Sequence, residues 1–151
     1  IRRGNDILEL QFPDPSVKVA LRIKAAKRYF VFEVVQVSPE NMEAMTIEFP
    51  MKKLDRKSTI TSANFSKTFV ANLFALNFAP YCTVYAAKDG SMRLAANFLK
   101  RHGYNGGKLA LLGMPRKMFF EVAKDVQKDH NLPSPRLGGK WLRESENIKR
   151  S

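Results

Sequence analysis

Cysteine is nearly absent from this chain: Cys82 is the one thiol. Neither an intramolecular disulfide nor a cysteine-based zinc site can form, and a reducing, cytoplasmic-type compartment is expected rather than a secreted scaffold. Histidine is almost as scarce. His102 and His130 are the only two, and neither has a cysteine or second histidine at metal-ligand spacing. No apolar run approaches the roughly 20 residues that cross a bilayer as a helix. The basic start Ile1-Arg2-Arg3 runs into Asp6 and Glu9 rather than into a signal-peptide core. Acidic residues are few, 14 against 26 Lys and Arg, for a formal charge of +12 on 151 residues. What is plentiful is apolar: 44% hydrophobic with 11 Phe, enough to fold one domain.

So large a positive excess is rarely kept without a polyanionic partner, and its distribution is uneven. Residues 1–50 carry seven basic and seven acidic residues, whereas 51–100 and 101–151 each carry a surplus of six. The pattern points to nucleic acid as the partner, RNA more than DNA, with the contacts in the later two thirds.

The first third reads as strands. Leu8, Leu10 and Phe12 alternate with polar neighbours, as do Val17, Val19, Leu21 and Ile23; Tyr29–Val37 is β-branched and aromatic almost throughout; Thr46–Phe49 is a further strand. A helix over 16–27 competes, because Ala20, Leu21, Lys24, Ala25, Ala26 and Lys27 are good helix formers. Ser38-Pro39-Glu40 suggests a short helical turn. From residue 61 the apolar period becomes helical: Phe65, Phe69, Leu73 and Leu76 predict one helix. Leu94, Ala95, Phe98 and Leu99 predict a second that ends at Gly103, and Pro115 opens a third with Met118, Phe119, Val122 and Val126 inward. Pro80–Ala87 fits either state. The expected fold is therefore α+β, a small antiparallel N-terminal sheet followed by a helical half. It occupies residues 1–132 as one domain, with 133–151 as a Pro/Gly linker and short terminal segment.

The candidate phosphate-binding residues are the cluster Lys52, Lys53, Arg56 and Lys57, the face Arg93, Lys100 and Arg101 that continues through Tyr104 to Lys108, and the stripe Arg22, Lys24 and Arg28. The glycines of 103–108 would bring amides close to phosphate, and Tyr104 or Tyr29 would stack on a base. The same stretch is no P-loop, because three residues rather than four separate Gly103 from Gly107-Lys108, and Leu109 follows in place of Ser or Thr. No catalytic constellation stands out. Cys82 lies in an apolar stretch and reads as a buried thiol, both histidines end helices, and no paired carboxylates of a two-metal site occur in the basic thirds. No cofactor is expected.

The β-rich start, the basic loop, the Thr59-Ile60-Thr61 entry into an apolar helix and the helices after it resemble the nucleoproteins of segmented negative-strand RNA viruses of the bunyavirus kind, over about residues 45–78. The resemblance implies a positive groove that holds single-stranded RNA by its backbone, and terminal arms that join protomers into an oligomer within a ribonucleoprotein particle. Trp141 and Leu142 would suit such an arm. The expected function is non-catalytic, largely sequence-independent nucleic-acid binding. Two other classes use the same cations: a ribosome-type structural subunit, and a peripheral membrane or matrix protein on anionic lipid.

Overall fold

Strand follows strand through most of the chain. The computed structural model describes residues 2–4, 6–14, 16–51, 63–65, 69–86, 91–133, 136–137 and 140–141; for 2–4, 63–65, 86, 136–137 and 140–141 it describes the backbone alone. Strands β1 (Arg2–Gly4), β2 (Ile7–Gln11), β3 (Lys18–Ala25), β4 (Tyr29–Ser38), β5 (Ala44–Met51), β6 (Ala63–Phe65), β7 (Phe69–Ala75), β8 (Pro80–Ala86), β9 (Met92–Leu99) and β10 (Lys108–Pro115) precede the single α-helix described, α1 (Phe119–Asp129). A short hairpin of β11 (Arg136–Leu137) and β12 (Lys140–Trp141) follows. Seven strands form one antiparallel sheet in the order β1-β2-β3-β4-β10-β7-β6, and three form a second in the order β5-β9-β8.

The two sheets pack face to face, because residues from both enter one core. Val19, Leu21, Val34, Val37, Ala71, Leu73 and Leu109 of the large sheet meet Leu94, Ala96 and Phe98 of the small one. A register shift between Ala20 and Leu21 leaves Val35 without a partner on β3. This bulge lets Val34 and Val37 face the same core despite their odd spacing. The other face of the large sheet takes α1: Val122 and Val126, both 0% exposed, pack with Tyr29, Ala110, Leu112 and Met114. Strand β10 is thus the middle of a three-layer sandwich, with Leu109 and Leu111 turned to one core and Ala110, Leu112 and Met114 to the other.

These observations correct the expected α+β fold with a helical half: the molecule is mainly β. Residues 69–75 are β7 rather than a helix, and Leu94, Ala95, Phe98 and Leu99 belong to β9, which passes into a single 3-10 turn, Lys100–His102. Phe69 and Leu73 fall at helical spacing because both faces of β7 are covered, and a two-sided strand has no alternation to betray it. In β9 the alanines favour a helix intrinsically, yet burial between neighbouring strands overrides propensity. The competing helix over 16–27 is β3, and Pro80–Ala86 resolves as a strand. The third helix is present, with Met118, Phe119, Val122 and Val126 against the core as expected. Its entry differs in detail, since a 3-10 turn, Arg116–Met118, separates Pro115 from α1.

Helix α1 is pinned to the start of β4 by polar contacts at both ends of its inner face. The Tyr29 hydroxyl donates to Asp129 Oδ2 at 2.8 Å and lies 3.2 Å from His130 Nε2, while Arg28 pairs with Glu121 and Asp125, each at 2.7 Å. The turn before β10 is locked differently. Gly106 at φ +78° donates its N–H to the Val34 carbonyl, and Val34 N–H donates to the Gly107 carbonyl. A Cβ on Gly107 would lie 2.5 Å from Phe98 Cε1 and 3.0 Å from the Tyr104 carbonyl oxygen.

Phe98 is 0% exposed and has nowhere to move. Gly107→Ala is therefore expected to destabilise the fold by about 1–3 kcal/mol through overpacking, measured by urea denaturation; an unchanged midpoint contradicts this packing. Burial, followed by the Asp129 hydrogen bond, pushes the Tyr29 phenol from 10.0 up to about 12. A raised folded pKa stabilises fully below pH 10, and that contribution disappears as pH rises toward 12. Tyr29→Phe is expected to be less stable at pH 8 and to lose stability less steeply above pH 10. Cys82, also raised to about 12 by burial, leaves some slope in both proteins. Parallel curves above pH 10 would contradict the assignment.

Candidate nucleic-acid interface

Those of the sequence-selected cations that lie among the described residues are dispersed over the sandwich rather than gathered in one groove. Arg22 and Lys24 stand on the outer face of β3, and Lys108 of β10 shares that side. Arg22 Nη1 is 2.8 Å and Lys108 Nζ 3.5 Å from the carboxylate of Glu33 on β4. Arg28 lies under α1 in the two ion pairs already described. Arg93 is on the opposite side of the molecule, on the outer face of β9, where its Nη1 lies 2.7 Å from Glu48 Oε2 of β5. Lys100 pairs with Glu43 at 3.2 Å, and the neighbouring Arg101 donates from Nε to His102 Nε2 at 3.1 Å. Lys24 and Arg101 have no ion pair among the described residues. Lys52, Lys53, Arg56, Lys57 and Leu142, with the side chain of Trp141, lie outside what is described, as does the Thr59-Ile60-Thr61 segment; Trp141 itself is the last residue of β12.

Two expected roles are corrected. Tyr104 is 4% exposed and its hydroxyl donates to the Met42 carbonyl, so its ring packs into the sandwich core and is not presented to a base. Tyr29 is buried beneath α1 for the same purpose. The amides of the Gly-rich turn are likewise engaged within the fold. Gly103 donates to Lys100 O, Gly106 to Val34 O, Gly107 to Tyr104 O and Lys108 to Asn77 Oδ1, so this turn offers no amide cradle for phosphate. Cys82 is half-buried, and that burial pushes its thiol up to about 12. No group of three or more His, Cys, Asp or Glu side chains that could hold a metal ion occurs among the described residues.

The ion pairs change the meaning of the net charge. The side chains described include thirteen Lys and Arg and ten Asp and Glu, a surplus of only three. Nine of the twelve excess charges therefore belong to the rest of the chain, chiefly the stretch from Lys52 to Lys67 and the one from Arg136 to Arg150. The acids that make the first third neutral in sequence, Glu33, Glu43 and Glu48, neutralise Lys108, Lys100 and Arg93 in space.

Sequence reasoning also missed a surface. By strand alternation and register, the outer face of the small sheet gathers Tyr81, Thr83 and Tyr85 of β8, Arg93, Ala95 and Asn97 of β9, and Thr46 and Glu48 of β5. Asn97 Oδ1 accepts from the Thr46 hydroxyl at 3.0 Å, and its amide donates to Thr83 Oγ1 at 3.1 Å. The Tyr85 hydroxyl donates to Glu48 Oε1. That bond, then the one from Arg93, holds the Glu48 carboxyl below its usual range. Tyr81 and Tyr85 are both exposed, at 51% and 39%. Their spacing with Thr83, polar or aromatic at every second position against Cys82 and Val84, is the signal that could have found them. On the outer face of the large sheet, a groove of about 520 Å³ on β2, β3 and β4 is lined by Glu9, Gln11, Lys18, Ala20, Gln36 and Ser38 among others, a mixture of signs without an aromatic ring.

Burial opposes ionisation of Glu33, yet the hydrogen bond from Arg22 and the charges of Lys108 and Arg22 outweigh it and hold its carboxyl below the ordinary 4.5. A lowered folded pKa stabilises above the unfolded value and ceases to do so as pH falls through the folded one. Between pH 6 and 3 the wild-type protein should lose stability more steeply than Glu33→Gln in urea denaturation; identical pH dependence contradicts the pairing.

No protein-family model, no curated protein and no solved structure matches the chain. Among the described residues no helix is long and apolar enough to cross a membrane.

Proposed function

We propose that this protein is a non-catalytic, largely sequence-independent binder of nucleic acid, single-stranded RNA in preference to DNA, that self-associates on its ligand. The observation that carries the reading is the charge distribution. The described side chains carry thirteen cations against ten carboxylates, a surplus of three, while the rest of the sequence holds the other nine excess positive charges. Charges used to neutralise a protein's own acids are little available to a ligand, whereas surplus Lys and Arg neutralise phosphates and release counterions. In this reading Lys52, Lys53, Arg56 and Lys57 are the principal phosphate contacts. Arg93, Lys100, Lys108, Arg22 and Arg28 contribute mainly to the fold through their ion pairs, and Trp141 and Leu142 serve contacts between protomers.

The reading predicts steep salt dependence. Log affinity for a mixed-sequence RNA oligonucleotide should fall linearly with log salt. Replacing Lys52, Lys53, Arg56 and Lys57 together by Gln should reduce the slope by roughly three, since each phosphate contact to a single strand contributes about 0.7. Fluorescence anisotropy from 50 to 400 mM salt measures both. Affinity that hardly changes with salt, or binding to anionic vesicles without binding to RNA, overturns the proposal.

A further inference from the structure

The outer face of the three-stranded sheet has a geometry suited to a particular kind of contact. Tyr85 is on the edge strand β8, and the carboxylate its hydroxyl meets belongs to Glu48 on β5, with β9 between them. That reach covers two strand spacings, about 9–10 Å. A tyrosine and a glutamate can span it only if both side chains lie along the sheet instead of standing away from it. Ala95 sits beneath: its Cβ faces the same side and its strand partners are Glu48 and Thr83, yet it is 0% exposed. The Tyr85–Glu48 bridge is thus a lid on Ala95, and the outer surface of the phenol ring is left in water. Arg93 holds the other carboxylate oxygen of Glu48 at 2.7 Å, so the face carries no unbalanced negative charge. Tyr81 stands four residues earlier on the same strand face, roughly 13 Å away, more exposed than Tyr85. Phe78, 95% exposed, lies in the turn that leads into β8.

We propose that this face is a stacking platform for unpaired bases of single-stranded nucleic acid, with Tyr85 and Tyr81 each taking one base. The proposal rests on the nucleic-acid reading above and adds to it the surface and the strandedness. Every base offers a π-face, so contacts of this kind are indifferent to sequence. A duplex keeps its bases stacked on one another and has none to offer. The roughly 13 Å of strand between positions 81 and 85 leaves room for intervening nucleotides of a single strand running along β8. The face itself is neutral, and it is the chain's net charge of +12 that favours a polyanion over an apolar protein partner as the occupant. Strand β5 ends at Met51, whose partner Met92 pairs with Ala86 of β8. The chain therefore enters the Lys52–Lys57 sequence from the Tyr85 end of this sheet.

The test is a fluorescence-anisotropy titration of a labelled 12-nucleotide mixed-sequence RNA, and of the same sequence as a duplex, with wild type, Tyr81→Ala, Tyr85→Ala and Tyr85→Phe. Each Tyr→Ala change should weaken single-strand binding about tenfold and leave the salt slope unchanged, because a ring neutralises no phosphate. Tyr85→Phe, which keeps the ring, should lose less than threefold. Duplex binding should be weaker than single-strand binding and insensitive to these changes. Wild-type binding that survives both Tyr→Ala changes overturns the platform while leaving the nucleic-acid reading intact. Absence of wild-type binding overturns that reading and the platform with it. Tyr81, whose ring has no hydrogen bond to a described residue, keeps the test decisive if loss of the Tyr85–Glu48 bridge unfolds the protein, which thermal melting reports.

Discussion

Burial of β10 on both faces is the constraint on which the rest of the molecule depends. Leu109, Ala110 and Leu112 are each 0% exposed although they alternate between opposite sides of one strand. Such a strand is stable only if something apolar covers each side, and the chain supplies the small sheet on one and α1 on the other. At roughly 25 cal/mol per Å² of apolar surface removed from water, this double coverage is the dominant favourable contribution in the molecule. Hydrogen bonding from β4 on one edge and β7 on the other satisfies the β10 backbone. The small sheet is consequently spent on its inner side, with Leu94, Ala96 and Phe98 inward, and only its outer side is available to a ligand.

The same architecture sorts the cations. Strand pairing brings acids of the first third beside bases of the later ones, Glu48 beside Arg93 and Glu33 beside Lys108. Partly exposed ion pairs of this sort contribute little to stability, typically below about 1 kcal/mol. Their larger effect is to remove those charges from the pool that acts on a distant polyanion. The described side chains carry a surplus of only three, and the other nine excess charges fall on the rest of the sequence. On the proposed reading, the almost uncharged aromatic face would take unpaired bases and the basic Lys52–Lys57 sequence would take phosphates.

How much of this was legible before the structure varied with how one-sided each element is. The strands β2, β3 and β5 alternate between apolar and polar residues because one face is wet or half-wet, and β4 was recognisable from its β-branched and aromatic run. Helix α1 shows a 3.6-residue stripe for a similar reason, with Glu121, Lys124 and Lys128 outward. Strand β7 was opaque because burial on both sides erases the period of two; in β9, whose Arg93 and Asn97 stay partly exposed, Ala95 and Ala96 added a helical bias. Strand β10 went unassigned, although Leu109, Ala110 and Leu112 are all fully buried. The charge excess was visible in sequence, but its cancellation was not, since Lys100 and Glu43 are 57 residues apart and meet only through the β5–β9 pairing. The Tyr81-Thr83-Tyr85 alternation was present and uninterpreted, while Tyr104 was chosen from a glycine-rich context that serves to pack the turn against Phe98.

Photo-crosslinking tests the central claim most directly, because it reports where the ligand sits without altering the protein. A single-stranded RNA carrying a photoactivatable base, irradiated in complex with the intact chain and mapped by peptide mass spectrometry, should attach at Tyr81 and Tyr85 on the outer face of the small sheet. Duplex competitor should leave these crosslinks in place. Crosslinks confined to the groove around Lys18 and Gln36, or spread evenly over the surface with none on β8, would contradict the account.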